Sequence, residues 1–256
     1  MLKTKIVALC GKGGVGKTSI AALMVKLLSQ KNNRKILAID ADPAMGLATA
    51  LGITVRKTVD DIRKDLIARI QNGRPQDKQE TARQLDYEIF EALASGDGYA
   101  LLAIGRPEDE GCFCRVNSLL KDIIVDLAGK FDIVLIDGEA GVEQINRRVM
   151  KTVDHLVLVS DTSAKGIGVA NTIALVAGDK KAVDFHSIGL VLNRVRNGAE
   201  AHEISTRTEL EIYGWLGDDE AIRDFDFRGA PLTEIPETSP TLGIVADILK
   251  KMDIIE

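Results

Sequence analysis

The sequence predicts an α/β protein with a doubly wound, mostly parallel sheet of about seven strands and helices on both faces. Three observations support this prediction. Short β-branched apolar runs alternate with longer helical patterns along the 256 residues. Strands that alternate with helices pair in parallel, because each crossover helix returns the chain to the same edge of the sheet. No linker or internal repeat divides the chain, so residues 1–256 are expected to form a single domain.

The elements follow from local patterns. The predicted strands are short apolar runs, and they cover residues 5–9, 35–40, 99–104, 133–137, 156–160, 188–193 and 212–216. Apolar residues at helical spacing predict helices over residues 19–28, 116–127, 144–153 and 167–177. The charged, Gln-rich stretch 56–95 predicts helices packed on one side of the sheet. Within it, residues 71–79 contain Gly73 and Pro75 and are expected to form an exposed loop.

The amino-acid composition argues against several classes of protein. Apolar residues make up 45% of the chain and charged residues 28%, with a net charge of −5, as in ordinary globular proteins. No basic run is long enough for nucleic acid or an anionic membrane, and no apolar run approaches a bilayer span. The chain enters its first strand directly, and its three cysteines form no disulfide framework. We therefore expect a cytoplasmic protein that binds neither nucleic acid nor membrane.

Residues 11–18, GKGGVGKT, fit the phosphate-binding pattern G-x-x-x-x-G-K-[ST] between a predicted strand and a predicted helix. The glycines allow backbone N–H groups to surround phosphate oxygens, and the helix that follows directs its positive end at the same anion. Lys17 is expected to reach the β- and γ-phosphates, and the Thr18 hydroxyl to bind Mg²⁺. The predicted nucleotide-binding residues of this segment are Gly11, Lys12, Gly13, Gly14, Val15, Gly16, Lys17, Thr18 and Ser19.

Acidic residues follow two other predicted strands at the edge where such sheets bind ligands. Asp137 ends an apolar strand, and together with Thr18 and Asp40 it is predicted to hold Mg²⁺. Asp42 precedes Pro43, which favours an extended backbone, and its carboxylate could orient the attacking water. The alternative is that Asp40 or Asp42 only caps the next helix.

The loop GKGGVGKT, with its additional Lys12, resembles the deviant P-loop ATPases, which include MinD, ParA, the nitrogenase iron protein and the arsenite-pump ATPase. The patterns DADP at 40–43 and IDGEAG at 136–141 resemble the two switches of that family, and the resemblance covers most of the chain. It implies ATP hydrolysis in a face-to-face homodimer with two ATP molecules between the subunits. In that arrangement Lys12 crosses to the partner's nucleotide, and Lys12, Lys17 and Asp42 form the catalytic set.

The same resemblance implies weaker assignments on the base side. Asn193 and Arg194 correspond to an Asn that reads adenine in the family, and Pro236 and Glu237 to a pattern that tends to lie near the base. Two alternatives remain open. Asn193 could equally cap its strand, and Glu237 could be a solvated loop residue or the N-terminal charge of the last helix.

Cys112 and Cys114 lie one residue apart in a Gly- and charge-rich loop over 105–115. Structural Zn²⁺ and square-planar Ni²⁺ each take four ligands, so two thiols supply half of a site. A symmetric dimer would bring two such pairs together. The alternative is that Cys112 and Cys114 are two unrelated buried thiols. Cys10, inside its predicted strand, is expected to be a packing residue.

Within the family, the C-x-C after an R-P-E segment, the stretch Glu139-Ala-Gly-Val-Glu143 and Ser163-Ala-Lys-Gly resemble the CooC-type accessory ATPases. These serve nickel insertion into carbon monoxide dehydrogenase, with relatives that serve acetyl-CoA synthase. The resemblance implies a metallochaperone with ATP or ADP, Mg²⁺, and Ni²⁺ or Zn²⁺ as ligands, and a nickel enzyme as client. Two alternatives stay open: a MinD/ParA-type positioning ATPase, or an iron–sulfur carrier with four sulfurs per dimer.

Overall fold

The computed structural model of the chain describes residues 3–30, 33–72, 78–106, 114–139, 141, 145, 149–179 and 183–256. For residues 78, 114, 115 and 179 it describes the backbone alone. The strands are β1 (Lys5–Cys10), β2 (Ile36–Asp40), β3 (Ala94–Ser95), β4 (Tyr99–Ala103), β5 (Ile133–Asp137), β6 (Thr152–Ser160), β7 (Asp184–Leu192) and β8 (Ile212–Trp215).

The helices are α1 (Lys17–Ser29), α2 (Gly46–Ala50), α3 (Val59–Gln71), α4 (Lys78–Glu91), α5 (Cys114–Ala128), α6 (Ala164–Asp179), α7 (Gly198–Ser205), α8 (Glu220–Arg228) and α9 (Pro240–Lys251). A short 3₁₀ turn spans Leu232–Glu234. Among the helices of the described ranges, none combines the length and apolar character needed to cross a membrane.

The eight described strands form one sheet in the order β3-β4-β2-β5-β1-β6-β7-β8. β3 pairs antiparallel with β4, and the other described pairs are parallel. The register aligns Asp137 with Leu9 of β1 on one side and with Asp40 of β2 on the other. The carboxyl ends of the three central strands therefore meet at one edge, which is where a doubly wound sheet binds ligands.

Side chains alternate along the buried strands and create a core on each face of the sheet. On one face, Val7 and Leu9 of β1 share a cluster with α1, α2 and α9. On the other, Ala8 and Cys10 share a cluster with α3, α4, α5 and α6. Helices on both faces of a mostly parallel sheet confirm the predicted fold class.

Helices α3 and α4 confirm the prediction for 56–95. A capping box fixes the start of α3: the Thr58 Oγ1 accepts a hydrogen bond from Asp61 N at 3.1 Å, and Thr58 N donates to Asp61 Oδ2 at 2.8 Å. The predicted loop over 71–79 is too long at both ends, because Gln71 is the last residue of α3 and Lys78 is the first residue of α4. Residues 73–77 lie outside the described part.

Two further predictions differ from the structure. The sequence analysis does not predict β3, whose two residues are too few to show a periodicity. The helix predicted over 144–153 is wrong at its C-terminal end, because Thr152 and Val153 already belong to β6 and pair with β7. Both residues are β-branched and favour a strand, while residues 142–144 and 146–148 lie outside the described part.

Candidate nucleotide and magnesium site

The predicted phosphate loop connects β1 to α1, and its shape requires glycine at two positions. Gly11 and Gly16 have φ angles of 150° and 95°. A Cβ atom would lie 2.1 Å from Val159 O at the first and 2.3 Å from the Asn193 amide nitrogen at the second. Gly16 also precedes α1 without any side-chain cap. The first N–H groups of α1 therefore stay available to an anion, as phosphate binding requires.

Lys17 crosses this loop from the first turn of α1. Its side chain is buried, and its Nζ donates to Gly11 O at 3.0 Å and to Lys12 O at 3.2 Å. Two carbonyl oxygens hold the ammonium group in place but do not neutralise it. The Asp137 carboxylate is near enough for its charge to interact with Lys17, and a phosphate inside the loop would add further counter-charge to this buried cation.

A buried carboxylate at the end of β5 completes the phosphate side. Thr18 Oγ1 donates to Asp137 Oδ2 at 2.7 Å, while Asp137 Oδ1 is buried without a hydrogen-bond partner. Burial raises the pKa of Asp137 to about 7; the charge of neighbouring Asp40 also raises it, and the Thr18 hydrogen bond opposes the rise. An unpartnered buried carboxylate oxygen beside a threonine hydroxyl fits the oxygen ligands that Mg²⁺ prefers.

Asp40, the register partner of Asp137 in the sheet, also binds the backbone of the turn and helix that follow β2. Its Oδ2 accepts a hydrogen bond from Ala48 N at 3.0 Å and its Oδ1 from Asp42 N at 3.3 Å. Burial raises the pKa of Asp40 to about 6, although these two backbone hydrogen bonds lower it. Asp40 therefore binds the backbone of α2 and also adds negative charge beside Asp137. The prediction that Asp40 helps to hold Mg²⁺ and the alternative that it caps the next helix are compatible.

Asp42 lies in the turn that leads from β2 to α2. Its Oδ1 accepts a hydrogen bond from Ala44 N at 2.8 Å, and Met45 adopts a left-handed φ of 52° at the start of α2. The side chain is half-buried at the edge of the site. Its predicted task of orienting water stays a prediction.

Lys12 pairs with an acidic residue that follows β6. Its Nζ lies 3.6 Å from Asp161 Oδ2, and its side chain is 34% exposed. Burial alone would raise the pKa of Asp161, but hydrogen bonds from Ser163 and the charge of Lys12 together lower it below its ordinary value. The sequence analysis does not identify Asp161. Its position directly after β6 repeats the pattern of Asp40 and Asp137 and could have revealed it.

The base side is built around Asn193, which follows β7. Its Nδ2 donates to Val15 O at 2.8 Å, and its Oδ1 accepts from Arg194 N at 2.9 Å with Arg194 at a φ of 60°. A cavity of about 100 Å³ adjoins it, lined among others by Ser19, Gly217 and Asp219. Asn193 therefore holds the phosphate loop and borders a small cavity beside it, and its contact with the nucleotide base stays a prediction.

Pro236 and Glu237 are not brought to this cavity. The Glu237 Oε1 accepts hydrogen bonds from Lys26 Nζ at 2.8 Å and from Gln30 Nε2 at 2.7 Å. At the rise of an α-helix, Lys26 lies about 13 Å beyond Lys17 along α1. The segment 217–219 lines the cavity instead, and nucleotide contact by Pro236 and Glu237 stays a prediction.

The predicted metal ligands fall largely outside the described residues. Cys112 is not described, and Cys114 is described by its backbone alone, as the first residue of α5. Cys10 is fully buried, as expected of a packing residue. Within the described ranges, no group of three or more His, Cys, Asp or Glu residues is arranged to hold a metal ion.

Comparisons with known proteins agree with this geometry. Residues 6–232 match the family model of the CobQ/CobB/MinD/ParA nucleotide binding domain. An uncharacterized ATP-binding protein of Methanocaldococcus jannaschii is 37% identical over 249 residues, covering 96% of this chain and 98% of the relative. The carbon monoxide dehydrogenase accessory protein CooC of Rhodospirillum rubrum is 26% identical over 233 residues, covering 87% of each chain.

Solved structures show the same fold. The septum site-determining protein MinD of Pyrococcus horikoshii, complexed with Mg-ADP, superposes with a TM-score of 0.69 at 20% identity, covering 98% of this chain and 96% of that one. The McdA(D38A)–ATP complex of Cyanothece gives a TM-score of 0.72 at 20% identity, covering 100% and 99%. With the phosphate loop and the family match over most of its length, the chain belongs to the CobQ/CobB/MinD/ParA nucleotide-binding family and is a P-loop ATPase.

Proposed function

We propose that this ATPase is a metallochaperone that binds Ni²⁺ or Zn²⁺ through Cys112 and Cys114 between two copies of the chain. Its client is a nickel enzyme, carbon monoxide dehydrogenase or acetyl-CoA synthase. The similarity to CooC of Rhodospirillum rubrum over 87% of both chains supports the proposal. The observation that carries it is the position of the C-x-C in the chain, where Cys112 follows β4 and Cys114 is the first residue of α5.

In the chain, the cysteines follow a strand that ends at the edge of the sheet where the predicted nucleotide site lies. The chain enters the segment from β4, whose last residue Ala103 is the register partner of Asp40. It leaves the segment at Cys114, the first residue of α5. The described chain on the two sides of residues 107–113 therefore belongs to β4, which ends at the edge that carries Asp40 and Asp137, and to α5.

Nucleotide chemistry would use the residues described above. Lys17 and the N–H groups of residues 11–19 would bind the phosphates, and Thr18, Asp40 and Asp137 would hold Mg²⁺. The cation, when bound, neutralises phosphate charge and the buried carboxylates together. Asp42 orients the attacking water, and Asn193 with Arg194 borders the base.

A homodimer follows from two incomplete sites. Lys12 is one-third exposed and forms a partly solvated ion pair with Asp161 at 3.6 Å, so exchanging that pair for a partner's phosphates would cost little. One C-x-C pair supplies two sulfurs, whereas Ni²⁺ and Zn²⁺ sites take four ligands. The same two-fold axis would complete both sites.

Metal titration of anaerobically purified protein tests this function. Wild-type protein and the Cys10→Ala control should bind one Ni²⁺ or Zn²⁺ per dimer. Cys112→Ser and Cys114→Ser should bind none at comparable affinity, because a hydroxyl does not replace a thiolate for these metals. One ion per monomer, or full affinity in both serine variants, would contradict the inter-subunit site.

An iron–sulfur carrier remains the second candidate, because four thiolates per dimer are also the ligand set of a [4Fe–4S] cluster. Iron and sulfide analysis of the same anaerobic protein separates the two. Stoichiometric iron and sulfide bound through Cys112 and Cys114 would favour the carrier. A MinD/ParA-type positioning ATPase is supported by the family match over residues 6–232 and by the shared fold, and neither of these identifies a positioning function.

A further inference from the structure

Three polar side chains form a row across β6, β7 and β8. His155 of β6 is the register partner of Ser187 of β7, and its Nδ1 lies 2.8 Å from Ser187 Oγ. Tyr213 of β8 donates its hydroxyl proton to the same Oγ at 2.8 Å. His155 and Tyr213 are each 8% exposed. The row therefore joins three neighbouring strands through side chains that lie largely within the core.

Gly189 of β7 makes room for the Tyr213 ring in this row. A Cβ atom at Gly189 would lie 2.3 Å from a carbon of the ring, so a larger residue would displace the ring and its hydroxyl from Ser187. Lys251, the last residue of α9, has its Nζ 5.7 Å from the centroid of the same ring and donates to Ile212 O at 2.7 Å. The row is therefore connected to the end of α9 as well as to the sheet.

The hydrogen bonds of the row suit a neutral histidine. Because Tyr213 donates to Ser187 Oγ, the proton of Ser187 is available to His155 Nδ1, which accepts it when the ring carries its own proton on Nε2. A second proton on His155 would occupy Nδ1 and make that nitrogen a donor. Ser187 Oγ would then face two donors while its own proton lost its acceptor. Protonation of His155 therefore breaks or reverses the row.

Protonation would also place a charge in the core. His155 Nε2 is buried, and no described residue forms a hydrogen bond with it. Burial is the main cause that lowers the pKa of His155 below 6.5, and the charges of Lys5 of β1 and His186 of β7 act in the same direction. The carboxylates of Asp154 in β6 and Asp253 after α9 oppose this shift without cancelling it. The folded chain therefore resists a proton that the unfolded chain accepts more readily.

We propose that the His155–Ser187–Tyr213 row is a pH-sensitive contact that fixes β8 and α9 to the sheet and releases them when His155 takes up a proton. β8 is the last strand of the described sheet and has β7 as its neighbour there, so it can separate without unpairing the central strands. α9 would leave with it, because Ile248 packs against Gly214 and Lys251 binds Ile212 O.

The sign of the pH dependence follows from the histidine alone. Once β8 and α9 separate, His155 is exposed to water and binds its proton at the ordinary pKa of 6.5. Above that pH the row costs nothing, because His155 is neutral in both states. As pH falls below 6.5, the open state gains a proton that the closed state resists, and the stability of this edge is lost until pH reaches the folded pKa. The inference concerns neither nucleotide nor metal, so it goes beyond the proposed function.

The test combines two measurements between pH 8 and pH 5. Proton NMR of the three histidine rings gives the pKa of His155, with its signal identified by its absence in His155→Gln. Hydrogen exchange with mass spectrometry gives the protection of β8 and α9, corrected for the intrinsic exchange rate. Relative to His155→Gln, wild-type protection should fall at low pH tenfold for each unit by which the measured pKa lies below 6.5. The comparison removes the effects of Asp40 and Asp137, which both proteins share.

Two further variants complete the test. Tyr213→Phe keeps the ring and removes the hydroxyl, so Ser187 Oγ can accept from a protonated His155 without a competing donor. The measured pKa of His155 should rise in this variant, and the fall in protection should shrink by the same factor, which a merely structural tyrosine would not cause. His186→Gln is the matched control, because it removes an exposed histidine next to Ser187 in β7. It should keep the full pH-dependent fall.

Three results would overturn the inference. The first is a His155 pKa at or above 6.5 in the wild type. The second is the same pH dependence of protection at β8 and α9 in the wild type and in His155→Gln or, should that variant not fold, in Tyr213→Phe. The third is a fall that β2 and β5 share in equal measure, because His155 would then affect the stability of the whole fold and not the attachment of this edge.

Discussion

Asp137 gives the most quantitative prediction, because the burial of its carboxylate lowers the free energy of unfolding by an amount that depends on pH. Its pKa in the folded protein is about 7, against an ordinary value of 3.8. The folded state therefore binds the proton more tightly than the unfolded chain. The free energy of unfolding falls as pH rises through this window, and the destabilisation is complete above about pH 7. At 1.36 kcal/mol per pKa unit, three units correspond to about 4 kcal/mol.

Asp137→Asn removes this charge while keeping the shape of the side chain. Between pH 5 and pH 8 the wild type should lose about 3 kcal/mol of stability relative to the variant, since about two of the three pKa units fall in that range. For a chain of this size, that is a difference of about 6–12 °C in melting temperature. The pKa of Asp40, raised to about 6, adds pH dependence of the same sign in both proteins.

The assay is thermal unfolding of nucleotide-free protein by circular dichroism at pH 5, 6, 7 and 8. Asp126→Asn, which removes an exposed carboxylate from α5, is the charge-matched control and should follow the wild type. Saturating Mg-ADP should remove the advantage of Asp137→Asn, because the cation neutralises the wild-type carboxylate. An advantage of Asp137→Asn that does not grow with pH would refute the buried-charge reasoning.

Three further variants test the phosphate side. Lys17→Ala should abolish nucleotide binding measured by calorimetry, because the phosphates lose a buried counter-charge; unchanged ATP turnover would remove Lys17 from the site. Lys12→Ala should bind ATP normally but lose hydrolysis and the ATP-bound dimer, and normal turnover with normal dimerisation would contradict a role across the interface. Asp42→Asn should bind ATP and slow phosphate release at least about tenfold, whereas wild-type turnover would leave Asp42 as a turn residue alone.

The phosphate loop could be predicted from sequence because Gly11, Gly16, Lys17 and Thr18 fall within one run of eight residues. The contacts that exclude a side chain at the two glycines come from Val159 of β6 and from Asn193 after β7, and these only the structure shows. Asp40 and Asp137 could also be predicted from the sequence, because each is the last residue of a strongly apolar strand. The two-faced sheet followed from the alternation of strands and helices.

The base side was harder to predict because it depends on distant contacts. Glu237 pairs with Lys26 and Gln30, more than 200 residues away along the chain, and this pairing holds it away from the cavity. Asp219 reaches the cavity through its cap on α8 and its hydrogen bonds to Ser239 and Thr241. No local pattern distinguishes these two acidic residues, so their places had to come from the structure.

The central claim is that one dimer holds both nucleotide and metal, and native mass spectrometry of anaerobic protein tests it most directly. With Mg-ADP and one equivalent of Ni²⁺ per dimer, the account predicts a dimer that carries two nucleotides and one Ni²⁺. Cys112→Ser should retain the nucleotides and lose the metal. A monomer that carries its own Ni²⁺, or a nucleotide-bound dimer that carries none, would contradict the account.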